Sequence, residues 1–125
     1  LLESYSHGMR QKLVLSSVLL RKPPVILLDE PMVGLDPKSA RLVKQLLLDL
    51  AKEGAAIFMC THTLEIAQKL SDRIAIMYEG RIIALGTFEE LRRMSGHPLR
   101  DASGGDISLE DIFLSLTGGK LYAKL

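Results

Sequence analysis

The chain has 125 residues, enough for one domain or for part of one. Its 16 basic and 15 acidic residues leave a formal net charge of +1, so composition excludes the strong field of a nucleic-acid-binding or anionic-membrane-binding protein. No apolar run approaches the roughly 18 residues of a membrane span. For lack of such a run, we expect any channel to lie on another chain. Because the first residue is Leu1 and not Met, we expect a fragment.

Helices and strands alternate along the sequence in a pattern that predicts an α/β fold. The predicted elements are, in chain order, a helix over Met9 to Leu20, a strand over Val25 to Leu28, a helix from Pro37 that Gly54 ends, a strand over Ala55 to Thr61, a helix from Thr63 through Leu70, a hairpin of Arg73 to Tyr78 and Arg81 to Leu85, a helix near Phe88 to Met94, and a final helix from Ser108 closed by Gly118-Gly119.

Short polar patterns mark several of these boundaries. The patterns are an N-cap followed by proline at Asp36-Pro37, a turn at Glu79-Gly80, a capping box at Thr87 with Glu90, and the pair Ser108 with Asp111 at the start of the final helix. The only cysteine, Cys60, lies in the apolar run AAIFMC and is predicted to be a small core residue.

The most informative segment is VILLDEPMVGLDP, from Val25 to Pro37. An unbroken apolar strand predicts burial on both faces, in a parallel sheet with helices above and below. Ligands of such sheets bind at the carboxyl ends of the strands, where this strand delivers Asp29 and Glu30. Two carboxylates beside so apolar a strand need a cation or a catalytic task, which indicates phosphate chemistry. The alternative is that Asp29 caps a turn and Glu30 is a solvated surface residue.

A long helical connection between two strands implies a right-handed crossover and parallel pairing. The two predicted strands would then end at one edge of the sheet. We therefore expect Asp29 and Glu30 to lie near Thr61 and His62.

Three motifs in order resemble those of ATP-binding-cassette (ABC) ATPases. VILLDEP with GLDP resembles the Walker B strand and D-loop, YSHGMRQK upstream resembles the signature, and His62 in CTHTLEIA resembles the switch histidine. The resemblance covers about Ser4 to Leu91. It implies part of an ABC-type P-loop NTPase domain, with a parallel sheet and flanking helices followed by a C-terminal β-hairpin and short helices. The usual signature is LSGGQ, and YSHGM keeps its serine and one glycine.

The resemblance implies a role for each residue at the predicted sheet edge. Asp29 would hold Mg²⁺ through water, Glu30 would orient and deprotonate the water that attacks ATP, and His62 would contact the γ-phosphate.

Other motif residues would act across a dimer of two such subunits. In the family the signature serves ATP bound to the opposite subunit, which assigns that role to Ser6 and Gly8. The D-loop residues Gly34, Leu35 and Asp36 would lie at the dimer interface, where Asp36 would also cap a helix.

The sequence contains no GxxxxGK[ST] phosphate loop. We therefore expect the chain alone to bind ATP poorly or not at all and to be inactive. The strand Ala55 to Thr61 would expose an unpaired apolar edge, and the isolated chain would be only marginally stable. We predict an ATPase core over residues 1–95, a linker over 96–107, and a short helix with a tail over 108–125.

The resemblance implies the C-terminal half of an ABC transporter's ATP-binding subunit. Its partners would be a second ATPase subunit and separate transmembrane permease subunits at the cytoplasmic face of the cell membrane, with no nucleic acid. YSHGM and the C-terminal helix favour export. The alternatives are a non-transport ABC ATPase acting in translation or on chromosomes, and a catalytically inert half kept for dimerisation.

Overall fold

The computed structural model describes the backbone of residues 7–118 and their side chains except those of residues 7, 8 and 11. Its elements are, in chain order, α1 (His7–Arg21), β1 (Val25–Asp29), α2 (Pro37–Lys52), β2 (Ala56–Cys60), α3 (Leu64–Leu70), β3 (Ile74–Tyr78), β4 (Arg81–Gly86), α4 (Phe88–Met94) and α5 (Leu109–Leu116). Every predicted element is present, and the α/β fold class is confirmed. The chain divides into an N-terminal unit that ends at His62 and a C-terminal unit that begins at Thr63.

The N-terminal unit is built on a parallel pair of strands. β1 and β2 pair in register, from Val25 opposite Ala56 to Asp29 opposite Cys60. The helix α2 makes the connection between them, as a parallel pair requires. The predicted parallel sheet is therefore confirmed, and both strands end at the same edge.

The helix α2 forms where the sequence places an N-cap and an apolar stripe. Asp36 caps it, Pro37 occupies its first turn, and its buried residues recur at three- and four-residue spacing along one face. The buried cluster of the unit joins α1 and α2 with partly buried residues of both strands and of the turn after β1, and comprises Leu15, Val43 and Leu47 with Leu28, Met32, Leu35 and Ile57. Burial of each of the three buried side chains, Leu15, Val43 and Leu47, stabilises the unit by about 1.5–3 kcal/mol.

The described helices of the N-terminal unit cover only one face of this sheet, so the prediction of burial on both faces is wrong. Successive strand residues alternate between faces, and Leu27 and Phe58 on the second face are 75% and 62% exposed. Both helices of the unit send their buried side chains to the face of Leu28 and Ile57. Cys60 shares the uncovered face and is exposed, so the prediction that it is a core residue is also wrong.

One edge of β2 has no strand partner among the described residues, as we expect from the sequence. Among residues 7–118, β2 pairs with β1 alone. Its apolar residues therefore border an edge whose backbone groups have no strand partner in the described part of the chain.

The C-terminal unit begins with α3 and continues into the predicted hairpin. β3 and β4 pair antiparallel, with Tyr78 opposite Arg81. The two residues between them, Glu79 and Gly80, have φ values of 49° and 75°. Positive φ at both positions is the requirement of a type I′ turn, whose twist matches that of the flanking strands.

Capping boxes begin the last two helices, and the sequence predicts the first of them. Thr87 and Glu90 exchange hydrogen bonds at the start of α4, and Ser108 and Asp111 do so at the start of α5. The N–H of Leu109 donates to Gln68 Oε1 at 2.9 Å, which ties α5 to α3. The core between these elements comprises Ile74, Ile76, Ala84, Leu91, Ile107, Leu109 and Ile112.

The segment between α4 and α5 is folded locally around Asp101. Its Oδ1 accepts hydrogen bonds from the backbone N–H groups of Ser103 and Gly105, each at 2.8 Å. Ile107, at the end of the segment, is buried in the core of the C-terminal unit. The division of the chain into an ATPase core, a linker over 96–107 and a C-terminal helix remains a prediction.

We expect Ile112→Ala to lower the free energy of unfolding of the C-terminal unit by about 2–5 kcal/mol, because it leaves a cavity at a fully buried site. The measurement is urea unfolding followed by circular dichroism. Leu99→Ala is the control, since Leu99 is 71% exposed and its replacement should change stability by less than about 0.5 kcal/mol. Equal losses from the two variants would contradict the described core.

Candidate functional site

The candidate site lies where β1 and β2 end together. The last residues of the strands, Asp29 and Cys60, are paired. The N–H of Glu30 donates to the carbonyl oxygen of Cys60 at 2.8 Å, so the pairing extends one residue beyond β1. The in-register parallel pairing therefore brings Glu30 beside the two residues that follow β2, Thr61 and His62.

Both oxygens of the Glu30 carboxylate are held by these two residues. Oε1 accepts the backbone N–H of His62 at 2.7 Å and also contacts the ring Nδ1 of His62. Oε2 accepts the hydroxyl of Thr61 at 3.0 Å. For the ring contact to be a hydrogen bond, His62 must carry a proton on Nδ1.

These donors keep the Glu30 carboxylate ionised. The backbone N–H of His62 lowers the pKa of Glu30 most, burial opposes it, and the side chains of Thr61 and His62 lower it further. A hydrogen bond to the charged form of an acid favours that form. Glu30 is therefore an anion at neutral pH.

The backbone of Glu30 has an unusual conformation. Its φ is 46°, in the left-handed region that residues other than glycine seldom adopt. Such conformations cluster at functional sites, where surrounding contacts maintain them. Here the contacts are the backbone bond to Cys60 and the three bonds of the carboxylate.

Asp29 and His62 complete the edge. Asp29 is the exposed last residue of β1, and the side chain of His62 is 83% exposed. Residues 7–118 contain no group of three His, Cys, Asp or Glu side chains arranged to hold a metal ion. A single exposed carboxylate nevertheless suits Mg²⁺, which commonly combines one or two carboxylates with water and substrate phosphates.

The turn after Glu30 leads directly into α2. Gly34 has a φ of 79°, a conformation that glycine adopts without strain, and Leu35 packs against the core of the N-terminal unit. Asp36 caps α2, because its Oδ2 accepts the backbone N–H of Ser39 at 3.1 Å. Its Oδ1 accepts the Ser39 hydroxyl at 2.5 Å and lies 3.5 Å from Lys12 Nζ.

The signature region is described only in part. Gly8 lies in the first turn of α1, which begins at His7, two residues before the predicted start. Ser6 lies outside the described residues. The predicted roles of Ser6, Gly8, Gly34, Leu35 and Asp36 at a dimer interface remain predictions.

Sequence reasoning missed the contact that Thr61 makes with Glu30. It placed Thr61 at the same edge of the sheet as Glu30 but predicted no hydrogen bond between the two side chains. The signal that would have found it is register, because the first residue after β2 lies beside the first residue after β1 when the two last residues pair.

Comparison with known proteins identifies the family. A family model described as "AAA domain, putative AbiEii toxin, Type IV TA system" matches residues 2–67, about half of the chain. The chain is 41% identical over 92 residues to the fluoroquinolones export ATP-binding protein of Mycobacterium tuberculosis, covering 74% of this chain and 31% of that protein. It is 38% identical over 117 residues to a daunorubicin resistance ATP-binding protein of Streptomyces coeruleorubidus, covering 91% and 37%.

A solved structure agrees with these relatives. The chain superimposes on the ATP-binding subunit of an ABC transporter with a TM-score of 0.82 and 32% identity, covering 93% of this chain and 45% of that one. The chain belongs to the P-loop NTPases of the ATP-binding-cassette (ABC) family. This ABC chain spans about a third of the curated relatives named above. Among its described residues, no helix has the length and apolar character needed to span a bilayer.

The cap of α2 in this ABC chain predicts a pH dependence of stability. Hydrogen bonds from the side chain and then the backbone of Ser39, with the charge of Lys12, lower the pKa of Asp36 from 3.8 to about 2. As the pH falls, Asp36 is therefore protonated at a higher pH in the unfolded state than in the folded state. The stabilisation by Asp36 should be complete above about pH 4 and lost towards pH 2.

Asp36→Asn provides the comparison, because an asparagine still caps a helix but does not titrate in this range. As the pH falls from 4 to 2, we expect the unfolding free energy of the wild-type protein to decrease more than that of the variant, because only the wild type loses the stabilisation by the Asp36 carboxylate. Urea unfolding at intervals of half a pH unit measures it. Parallel pH profiles would contradict the described cap.

Proposed function

We propose that this chain is the C-terminal half of the ATP-binding subunit of an ABC transporter, and that it hydrolyses ATP at the interface of two such subunits. The observation that carries the proposal is the Glu30 carboxylate, held ionised by Thr61 and His62 at the carboxyl end of a parallel strand pair. Ligands of parallel α/β sheets bind at this end of the strands.

Glu30 is proposed as the general base. It orients the attacking water and accepts a proton from it while the water oxygen forms a bond to the γ-phosphorus and the bond to the β-phosphate oxygen breaks, which yields ADP and phosphate. Its low pKa limits its strength as a base, so positioning of the water is the larger part of its role. This agrees with phosphoryl transfer in general, in which positioning and charge stabilisation supply most of the catalysis.

His62 and Asp29 are proposed to act beside Glu30. The contact with Glu30 orients the exposed imidazole of His62 through Nδ1. When Nε2 also carries a proton, as in the imidazolium form, it can donate a hydrogen bond to a γ-phosphate oxygen. Asp29 would hold Mg²⁺ through water, and that ion, when bound, would neutralise charge on the phosphates.

The rest of the proposed assembly rests on family resemblance. Ser6 and Gly8 would contact the ATP of the opposite subunit, and Gly34, Leu35 and Asp36 would line the dimer interface. Transmembrane permease subunits would use the hydrolysis for transport, with this subunit at the cytoplasmic face. The names of the two curated relatives, which concern fluoroquinolone export and daunorubicin resistance, support export. The 125-residue chain contains no phosphate loop and would be inactive alone.

The alternative of an inert dimerisation half is less well supported. Such a half has no need of an ionised carboxylate and an imidazole in contact, and the chain retains both. A non-transport ABC ATPase would use the same chemistry, and the relatives' names favour transport.

We expect Glu30→Gln in the complete subunit to lower ATP turnover by roughly 10²–10⁴-fold, because the amide cannot accept the proton of water. ATP binding should be retained, and an ATP-bound dimer should accumulate. Steady-state ATPase assays and size-exclusion chromatography measure these outcomes. Glu53→Gln is the matched control, since Glu53 pairs with Lys22 at the opposite end of the sheet. Undiminished turnover by Glu30→Gln would refute the assigned role.

Action of the signature across the dimer can be tested with mixed subunits. Ser6→Arg should impair hydrolysis with little loss of nucleotide binding by its own subunit. In dimers of one Ser6→Arg copy and one Glu30→Gln copy, one composite site stays intact and about half of the turnover should survive. Dimers of a wild-type copy and a copy with both substitutions should contain no intact site. The reverse result would show that the signature serves the ATP of its own subunit.

A further inference from the structure

We propose that Thr61 is a positioning residue for ATP hydrolysis, whose hydroxyl sets the rotation of the Glu30 carboxylate. The inference rests on the proposed function, because it gives Thr61 a role only where Glu30 directs the attacking water. It concerns the residue directly before His62, to which the sequence analysis assigns no role.

The geometry assigns Thr61 one oxygen of the carboxylate. The Thr61 hydroxyl donates to Oε2 at 3.0 Å, while both contacts from His62 go to Oε1. The terminal torsion of a glutamate is soft and has no sharp rotamer wells. If only Oε1 were held, the carboxylate could still rotate and displace Oε2. The hydrogen bond from Thr61 to Oε2 restricts this rotation.

The position of Thr61 makes its hydroxyl a rigid donor. Thr61 follows directly after β2, whose last residue both pairs with Asp29 and accepts the N–H of Glu30. Its side chain is partly buried, and a β-branched side chain has restricted χ1 rotation. The hydroxyl is thus fixed relative to the same strand ends that fix the backbone of Glu30.

The rate of ATP hydrolysis should depend strongly on the position of the Glu30 carboxylate. A displacement of about 1 Å in a reacting group can cost on the order of 10²-fold in rate. A carboxylate that turns about Oε1 moves its other oxygen, and a water bound to it, by a distance of that order. Loss of the Thr61 hydroxyl should therefore lower kcat and leave the KM for ATP nearly unchanged.

The decisive variants in the complete subunit are Thr61→Val, which removes the hydroxyl at nearly constant shape, and Thr61→Ser, which retains it. We expect Thr61→Val to lower kcat by about 10–100-fold with KM within about twofold. Thr61→Ser should recover most of the loss. Thr63→Val is the matched control, because it makes the same substitution two residues along the chain, at the residue that precedes α3 in the C-terminal unit. Thr61→Ala replaces Thr61→Val if the latter fails to fold.

A double-mutant comparison separates positioning from a general effect on structure. If Thr61 acts through Glu30, adding Thr61→Val to Glu30→Gln should slow the enzyme no further. Wild-type kcat for Thr61→Val, an equal loss with Thr61→Ser, or a further loss in the double variant would each overturn the inference. Full turnover by Glu30→Gln would instead overturn the proposed function, so the two failures are distinguishable.

Discussion

Parallel, in-register pairing of β1 with β2 is the constraint on which the candidate site depends. Because the last residues of the strands are paired, the residues that follow them are neighbours. The bond from the N–H of Glu30 to the carbonyl oxygen of Cys60 extends this relation one step further. A shift of register by one residue would send every side chain of the shifted strand to the other face of the sheet and would separate Glu30 from Thr61 and His62. The carboxylate is thus held by strand pairing as much as by its own hydrogen bonds.

Local features of the fold were predictable because short-range chemistry determines them. Asp36 caps α2, and Glu79-Gly80 turns the hairpin, as the sequence predicts. A capping oxygen or a positive φ is decided within a few residues, so no knowledge of the remaining chain is needed. The convergence of Asp29 and Glu30 with His62 was predictable for a different reason, namely the general rule that a helical crossover makes its two strands parallel.

Burial and side-chain partners were less predictable, because both depend on which elements meet. An apolar strand does not specify how many helices cover it, and the described helices cover only the face of Leu28 and Ile57. The exposure of Phe58 and Cys60 follows from that one-sided arrangement. The partnership of Thr61 with Glu30 spans 31 positions of sequence, and only the register of the sheet reveals it. The left-handed backbone conformation of Glu30 was not predictable either, because the residue is not a glycine.

One donor to Glu30 belongs to the main chain of His62 and not to its ring. Every amino acid except proline supplies an amide hydrogen at that position, so evolution or mutagenesis can replace the imidazole without removing this anchor. A defect produced by such a replacement would therefore report chiefly on what the ring itself contributes to the reaction.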